Sequence, residues 1–128
     1  TRAHLCRAVL ESIALESADL GEAMKRESGV AIPELRADGG ASRSRVLMQY
    51  QADILNTRVC RPQCLETTAL GSAMMAGLTV GLWDSLEELS SLWREGAGFD
   101  PHYPADRRTA ALARWHEGVQ RSMGWARR

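Results

Sequence analysis

The first quarter of the chain carries an apolar residue every three or four positions, which predicts a long helix over residues 2–27. The apolar stripe is formed by Cys6, Val9, Leu10, Ile13, Leu20 and Met24. Ser17 occupies a position where the stripe would place an apolar side chain, so this face is imperfect. Ser28 and Gly29 supply the helix stop, because glycine readily adopts the left-handed conformation that ends many helices.

Two short extended segments follow, each with a helix after it. Pro33 is incompatible with helix continuation. Residues 35–38 are predicted to form a strand that ends in a tight turn at Gly39 and Gly40. Helical periodicity then returns over residues 44–55, which predicts a second helix.

The second predicted strand covers residues 59–61 and is closed by Pro62. In the helix after it, Thr67 or Thr68 can serve as the N-cap. The helix carries a stripe of small residues, which predicts close packing in a core. The stripe consists of Ala69, Ser72, Ala73, Ala76, Gly77 and Val80. A strand, a helix and a second strand in this order predict a parallel pair with a right-handed crossover, and so an α/β fold.

The last third of the chain is predicted to be helical. Ser85 and Glu88 form a capping box that starts a helix to about Glu95, where Gly96 and Gly98 end it. A loop with two prolines precedes a final helix that ends near the last glycine. That helix has Asp106 as its cap and the apolar stripe Leu112, Trp115, Val119 and Met123.

Composition narrows the function classes. The chain has 128 residues with 16 basic and 16 acidic side chains, so its formal net charge is zero. A binder of nucleic acid would carry a clear cationic excess. Because 45% of the residues are hydrophobic and 25% are charged, a disordered tail is also excluded. The length fits one domain. The sequence shows neither a signal peptide nor an apolar run long enough to span a bilayer.

Cysteine usage indicates a reducing compartment. The three cysteines are Cys6, Cys60 and Cys64, an odd number without a dense framework. Cys60 and Cys64 are predicted to be two reduced thiols, one in a strand and one in the following loop. No third or fourth ligand nearby completes a zinc site.

The sharpest chemical signal is DGGAS at residues 38–42, between a predicted strand and a predicted helix. Glycines there let backbone N–H groups approach a ligand closely, and the positive end of the next helix suits a nucleotide. The motif is neither GxGxxG nor a Walker loop. It is therefore read either as an ordinary turn or as a nucleotide contact.

Other candidate residues have an ordinary structural interpretation beside the chemical one. Asp38 is a base or a metal ligand, or simply a turn residue. The residues Glu66, Thr67 and Thr68 fit a helix-capping role better than a catalytic one. The four tryptophans are expected to pack between the terminal helices. They are Trp83, Trp93, Trp115 and Trp125.

Several stretches in this order resemble the carboxy-terminal domain of the FGGY carbohydrate kinase family, and its glycerol kinases in particular. They are RAVLESIA (7–14), ELRADGGAS (34–42), LMQYQADIL (47–55), ETTALGSAMMAG (66–77) and RSMGW (121–125). The resemblance implies part of a ribonuclease H-like (actin-like ATPase) domain, truncated at its amino-terminal end, over residues 1–128. It also implies transfer of the ATP γ-phosphate to glycerol, with Mg²⁺, in the cytoplasm.

The resemblance assigns few site residues to this chain. Gly40, with its neighbour Gly39, matches the family's nucleotide-contacting glycine. Ser44 stands where the family usually has an asparagine whose amide reaches the adenine, and serine is shorter with a single hydroxyl. Arg43 and Arg45 flank it and are expected to be solvated or to reach a phosphate.

The resemblance implies that the family's catalytic aspartate, glycerol contacts and phosphate-contacting residues precede this sequence, and that most of the Mg²⁺ ligands also lie outside it. The isolated chain is therefore expected to be inactive, and to be marginally stable or self-associating because two short strands leave apolar helix faces uncovered. Two alternatives stay open: a non-catalytic nucleotide- or partner-binding remnant, with the loop at residues 99–106 as a contact, or part of another FGGY sugar or polyol kinase. A homo-oligomer also stays open.

Overall fold

The computed structural model describes residues 1–124 of the chain. These residues form five α-helices, three strands and one short 3₁₀ helix. The elements are α1 (Arg2–Ser28), β1 (Glu34–Arg36), a 3₁₀ helix (Gly40–Arg43), α2 (Arg45–Leu55), β2 (Arg58–Pro62), α3 (Thr67–Thr79), α4 (Leu86–Ser91), β3 (Glu95–Phe99) and α5 (Ala105–Ser122). The predicted first and second helices and first two strands are confirmed to within a few residues.

The core lies where α2 packs against both α1 and the sheet. Small and branched side chains from the middle of α1 meet α2, which is buried from Leu47 to Ile54 except at Gln49 and exposed at Arg45 and Val46. The core residues are Ala14, Leu15, Ala18, Leu47, Met48, Tyr50, Ala52, Ile54, Val59 and Phe99. The two helices approach closely at Gly21, where an added Cβ would lie 3.3 Å from the Leu55 side chain.

The sheet has the order β1-β2-β3. β1 and β2 are parallel, with Leu35 opposite Val59, as the strand–helix–strand order predicts. β3 runs antiparallel to β2 and places Phe99 opposite Val59, with a register irregularity between Arg61 and Pro62. The parallel pair puts the carboxyl ends of β1 and β2 at the same edge of the sheet.

β3 corrects the prediction that Gly96 and Gly98 end a helix reaching Glu95. That helix, α4, already stops at Ser91. The glycines are instead strand residues that allow close approach: a Cβ on Gly96 would lie 2.9 Å from the Pro62 carbonyl oxygen. A Cβ on Gly98 would lie 2.5 Å from the Arg58 guanidinium. Its two apolar side chains, Ala97 and Phe99, alternate with glycines and are too few to indicate a strand by periodicity, so the pairing with β2 defines it.

Helix α3 is a second correction. Its small-residue stripe does not pack in a core, since Gly77 is its only buried residue. Its N-cap is Glu66 rather than a threonine, and no side chain caps this end. The last helix begins at Ala105 with Pro104 as the N-cap, so Asp106 lies in the first turn and does not cap the helix.

Candidate functional site

The edge of the sheet where β1 and β2 end brings two helix N-termini together. After β1, residues 37–44 lead into α2, and after β2, residues 63–66 lead into α3. The two connections are joined directly, because the Gly39 N–H donates to the Leu65 carbonyl oxygen over 3.1 Å. In open α/β sheets this position, outside the carboxyl ends of parallel strands, is where ligands bind.

The two glycines of the turn differ in whether the backbone requires a glycine. Gly39 has φ 76° and ψ −178°, a conformation that residues with a side chain rarely adopt. Gly40 begins the 3₁₀ helix outside the left-handed region, so its backbone does not require glycine. A Cβ built on Gly40 meets no heavy atom within 4 Å. The space beside Gly40 is therefore open to a ligand.

Ser42 and Arg61 hold the turn from inside. Ser42 is 1% exposed, and its hydroxyl donates to the Gly39 carbonyl oxygen over 2.7 Å. The Arg61 guanidinium, on β2, donates to the Ser42 carbonyl oxygen over 2.9 Å. Sequence reasoning missed both residues. A serine three positions after the first glycine was a weak available signal, whereas nothing in the sequence links Arg61 to the turn.

Ser44 sits at the junction of the turn and α2. It is the N-cap of α2, and its hydroxyl accepts a hydrogen bond from the Leu47 N–H over 3.3 Å. The hydroxyl proton has no role in this cap and remains able to donate. The structure thus brings Gly39, Gly40 and Ser44 into one short segment at the sheet edge.

The charged residues around the turn are mostly exposed. Arg43 lies 3.9 Å from Glu66, and both side chains are more than two-thirds exposed. Such a pair contributes little to stability. Arg45 has its guanidinium 5.9 Å from the centre of the Phe99 ring. Asp38 is exposed.

Two of the cysteines differ sharply in exposure. Cys60 is fully buried in β2, and burial, followed by a hydrogen bond with the Glu34 carboxylate, raises the pKa of its thiol to about 11. Cys64 is exposed in the loop after β2, as predicted. Within residues 1–124, no group of three His, Cys, Asp or Glu side chains is arranged to hold a metal ion.

The tryptophans are only partly where they were expected. Trp115 does join the terminal helices, since its indole N–H donates to Asp19 over 2.7 Å. Trp93 instead lies under the Arg36 guanidinium, 4.4 Å from it, and Trp83 packs against Gly77. Trp125 lies outside the described residues.

Comparison with known proteins shows which family this chain resembles. Residues 1–80 match the model of the FGGY family of carbohydrate kinases, C-terminal domain. A glycerol kinase from Dechloromonas aromatica is 53% identical over 126 residues, which cover 98% of this chain and 25% of that protein. The chain therefore spans about a quarter of the length of such relatives.

Solved structures show the same fold. The crystal structure of Plasmodium falciparum glycerol kinase with ADP superposes with a TM-score of 0.84 at 33% identity, covering 98% of this chain and 25% of that one. A ligand-bound xylulose kinase from Lactobacillus acidophilus superposes with a TM-score of 0.72 at 19% identity, covering 98% and 26%. At that identity the likeness concerns the fold alone. Together with the glycerol kinase superposition, it confirms the predicted ribonuclease H-like (actin-like ATPase) α/β class.

No helix within residues 1–124 combines the length and apolar character that crossing a membrane requires.

Proposed function

We propose that this chain, which belongs to the FGGY family of carbohydrate kinases, forms the ATP-side part of a glycerol kinase. The reaction is transfer of the γ-phosphate of ATP to glycerol, giving glycerol 3-phosphate. The observation that supports it most is the exposed glycine turn at the ends of two parallel strands, in a chain whose relatives at 49–53% identity are named glycerol kinases. Gly39, Gly40 and Ser44 are the residues proposed to contact the nucleotide.

The geometry suits phosphoryl transfer. Such a reaction asks the protein mainly to position the reactants and to stabilise negative charge. The turn offers backbone N–H groups in an exposed segment, and the N-termini of α2 and α3 add two positive dipole ends beside it. The open space at Gly40 lets a nucleotide approach the backbone without meeting a side chain.

Ser44 is proposed as a weaker contact than the asparagine of related kinases. Its hydroxyl already accepts the Leu47 N–H, which leaves one proton for a ligand. An asparagine amide offers both donors and an acceptor at a longer reach. We therefore place most of the nucleotide affinity of this edge in the backbone of the turn.

Mg²⁺ accompanies ATP in such reactions, where it neutralises phosphate charge. Because residues 1–124 hold no cluster of ligands suited to a metal ion, these residues do not fit a resident magnesium site. The ion is expected to be bound by ATP itself and by residues outside this chain. Glycerol and the catalytic base are likewise assigned to the part of the kinase that this chain does not contain.

The chain is proposed to be the carboxy-terminal portion of a longer, two-lobed kinase. Relatives have about four times its length. In this chain α1 exposes Leu5, Val9, Leu20 and Met24, and a groove of about 650 Å³ runs between α1, α2 and α5. We propose that the remainder of the kinase covers these apolar faces, so that they are interior in the complete protein.

A cytoplasmic location is also proposed. It is supported by the three cysteines, which form no disulfide and of which Cys60 is buried as a thiol. ATP and a reducing environment coexist in that compartment.

The experiment is an assay of the complete kinase and of the isolated chain with ATP, Mg²⁺ and a panel of polyols and sugars. The complete protein is expected to phosphorylate glycerol in preference to xylulose, and the isolated chain is expected to show no activity. Activity of the isolated chain, or preference for a sugar over glycerol, would contradict the proposal.

A further inference from the structure

The turn at Gly39 and Gly40 must hold one backbone conformation to bind a nucleotide, although its sequence favours flexibility. A Gly-Gly sequence has more backbone freedom than any other dipeptide. Residues on the turn surface, Ala41 and Arg43, are exposed and pack against little. A segment of this kind would sample many conformations, whereas a nucleotide contact made by backbone N–H groups needs one.

Ser42 restricts this freedom from within the turn. It is the buried residue between two exposed neighbours. Both its donors converge on one acceptor, because its hydroxyl lies 2.7 Å and its backbone nitrogen 3.2 Å from the Gly39 carbonyl oxygen. This pair of bonds fixes the peptide that joins Gly39 to Gly40, which carries the Gly40 N–H.

Arg61 restricts the turn from the neighbouring strand. Its guanidinium donates to the Ser42 carbonyl oxygen across 19 positions of sequence. None of the salt bridges within residues 1–124 involves Arg61. The turn is therefore the polar partner that the structure gives this cation. A charged donor makes a stronger hydrogen bond than a neutral one.

From this geometry we infer that Ser42 and Arg61 are positioning residues for the nucleotide, acting through Gly40 without touching the ligand. The inference rests on the proposed function, since it assigns a purpose to the shape of the proposed ATP-facing turn. Arg61 couples that turn to β2, while the bond from Gly39 to the Leu65 carbonyl couples it to the start of α3. Both helix N-termini are thus held in register with the turn.

The test uses the complete kinase with the substitutions Ser42→Ala and Arg61→Met. The matched controls are Ser122→Ala, whose exposed hydroxyl bonds only within α5, and Arg114→Met on the exposed surface of the same helix. ADP affinity is measured by calorimetry, and KM for ATP, KM for glycerol and kcat are measured by coupled assay. Urea unfolding is followed for every variant to establish that it is folded.

Ser42→Ala and Arg61→Met are each expected to raise the ADP Kd and the KM for ATP about fivefold, the effect of losing one ordinary hydrogen bond. The KM for glycerol is expected to stay within about twofold of the wild-type value, because a role confined to the nucleotide changes nucleotide binding alone. Arg61→Lys, which keeps a charged donor, is expected to recover part of the affinity. The controls are expected to match the wild-type protein.

Equal ADP affinity in the variants and the controls would overturn the inference, as would parallel losses for ATP and glycerol. A wild-type kinase that binds ADP but does not phosphorylate glycerol would contradict the proposed function instead. In that case the ADP affinities of the variants still decide whether Ser42 and Arg61 position the turn.

Discussion

Trp115 donates its indole N–H to the Asp19 carboxylate over 2.7 Å, joining α5 to α1 across 96 positions of sequence. The other oxygen of Asp19 lies 2.7 Å from the His116 ring nitrogen Nε2. No residue of α5 is fully buried, so this polar cluster has a larger share in fixing the helix than it would in a well-packed core.

Asp19→Ala is therefore expected to lower the free energy of unfolding by about 1 kcal/mol. Hydrogen bonds to a charged group contribute somewhat more than this when buried, and solvent weakens this one. The control is Glu16→Ala, on the exposed side of the same helix, which should leave stability unchanged. Chemical unfolding of the complete kinase measures both.

The same carboxylate makes part of the stability depend on pH. Burial would raise the pKa of Asp19, but hydrogen bonds from His116 and Trp115 outweigh it and lower the pKa below its ordinary value. The contribution is therefore present above the unfolded-state pKa of about 4 and is lost as the pH falls through the lower folded-state value. The stability gap between wild type and Asp19→Ala should shrink from pH 5 toward pH 3; a constant gap would contradict this.

Gly39→Ala is expected to destabilise the turn because of backbone strain. The residue has φ 76° and ψ −178°, and holding a side chain in such a conformation costs about 1–3 kcal/mol. No neighbouring atom lies within 4 Å of the added Cβ, so a steric clash would not explain a loss. Unfolding of the variant by urea measures the cost, with Gly40→Ala as the control whose backbone lies outside the left-handed region. A variant as stable as wild type would show that the turn relaxes freely.

Ser44→Asn is expected to strengthen nucleotide binding about threefold, roughly the effect of half an ordinary hydrogen bond. Asparagine caps a helix as well as serine does, so the cap now made with the Leu47 N–H should survive. The added amide provides the donor and acceptor set that the family resemblance implies for this position. ADP titration of the complete kinase tests this, with Ser44→Thr as the variant that keeps a hydroxyl. Unchanged or weakened affinity would mean that position 44 faces away from the adenine.

The isolated 128-residue chain is expected to self-associate. Leu5 is 72% exposed and Val80 is 81% exposed, and other large apolar side chains on α1 and after α3 are also exposed. Contiguous exposed apolar surface of this kind favours association. Sedimentation velocity should show species that grow with concentration, and Val9→Gln combined with Leu20→Gln should reduce them. A monomer at all concentrations, with a cooperative thermal transition, would contradict the expectation.

Local sequence features predicted most of what positions the site. α2 follows a clear helical period, and Gly39 marks the turn by its conformational freedom, so both could be found without a structure. Strand β3 could not be found in this way. Its glycines, Gly96 and Gly98, are needed because Pro62 and Arg58 of the neighbouring strand lie too close for a side chain, and this contact appears only in the folded structure. Pairing between distant segments leaves no local periodicity.

The small-residue stripe of α3 was misread for a related reason. Small residues indicate that something packs closely, but they do not say what. Within residues 1–124 α3 buries only Gly77, and we propose that its partner belongs to the rest of the kinase. The roles of Ser42 and Arg61 depend equally on tertiary structure, since a bond from a strand to a distant carbonyl oxygen has no sequence pattern.

The most direct test of the nucleotide-binding turn is calorimetric titration of ADP into the complete kinase carrying Gly40→Ala. The backbone of Gly40 tolerates alanine and its Cβ would meet nothing within the chain, so the variant should unfold at the same urea concentration as wild type. If the nucleotide occupies the open space beside Gly40, ADP affinity falls at least about tenfold, as expected when a ligand must give up close contact with the backbone. Unchanged ADP affinity in this stable variant would contradict the assignment of the turn to the nucleotide.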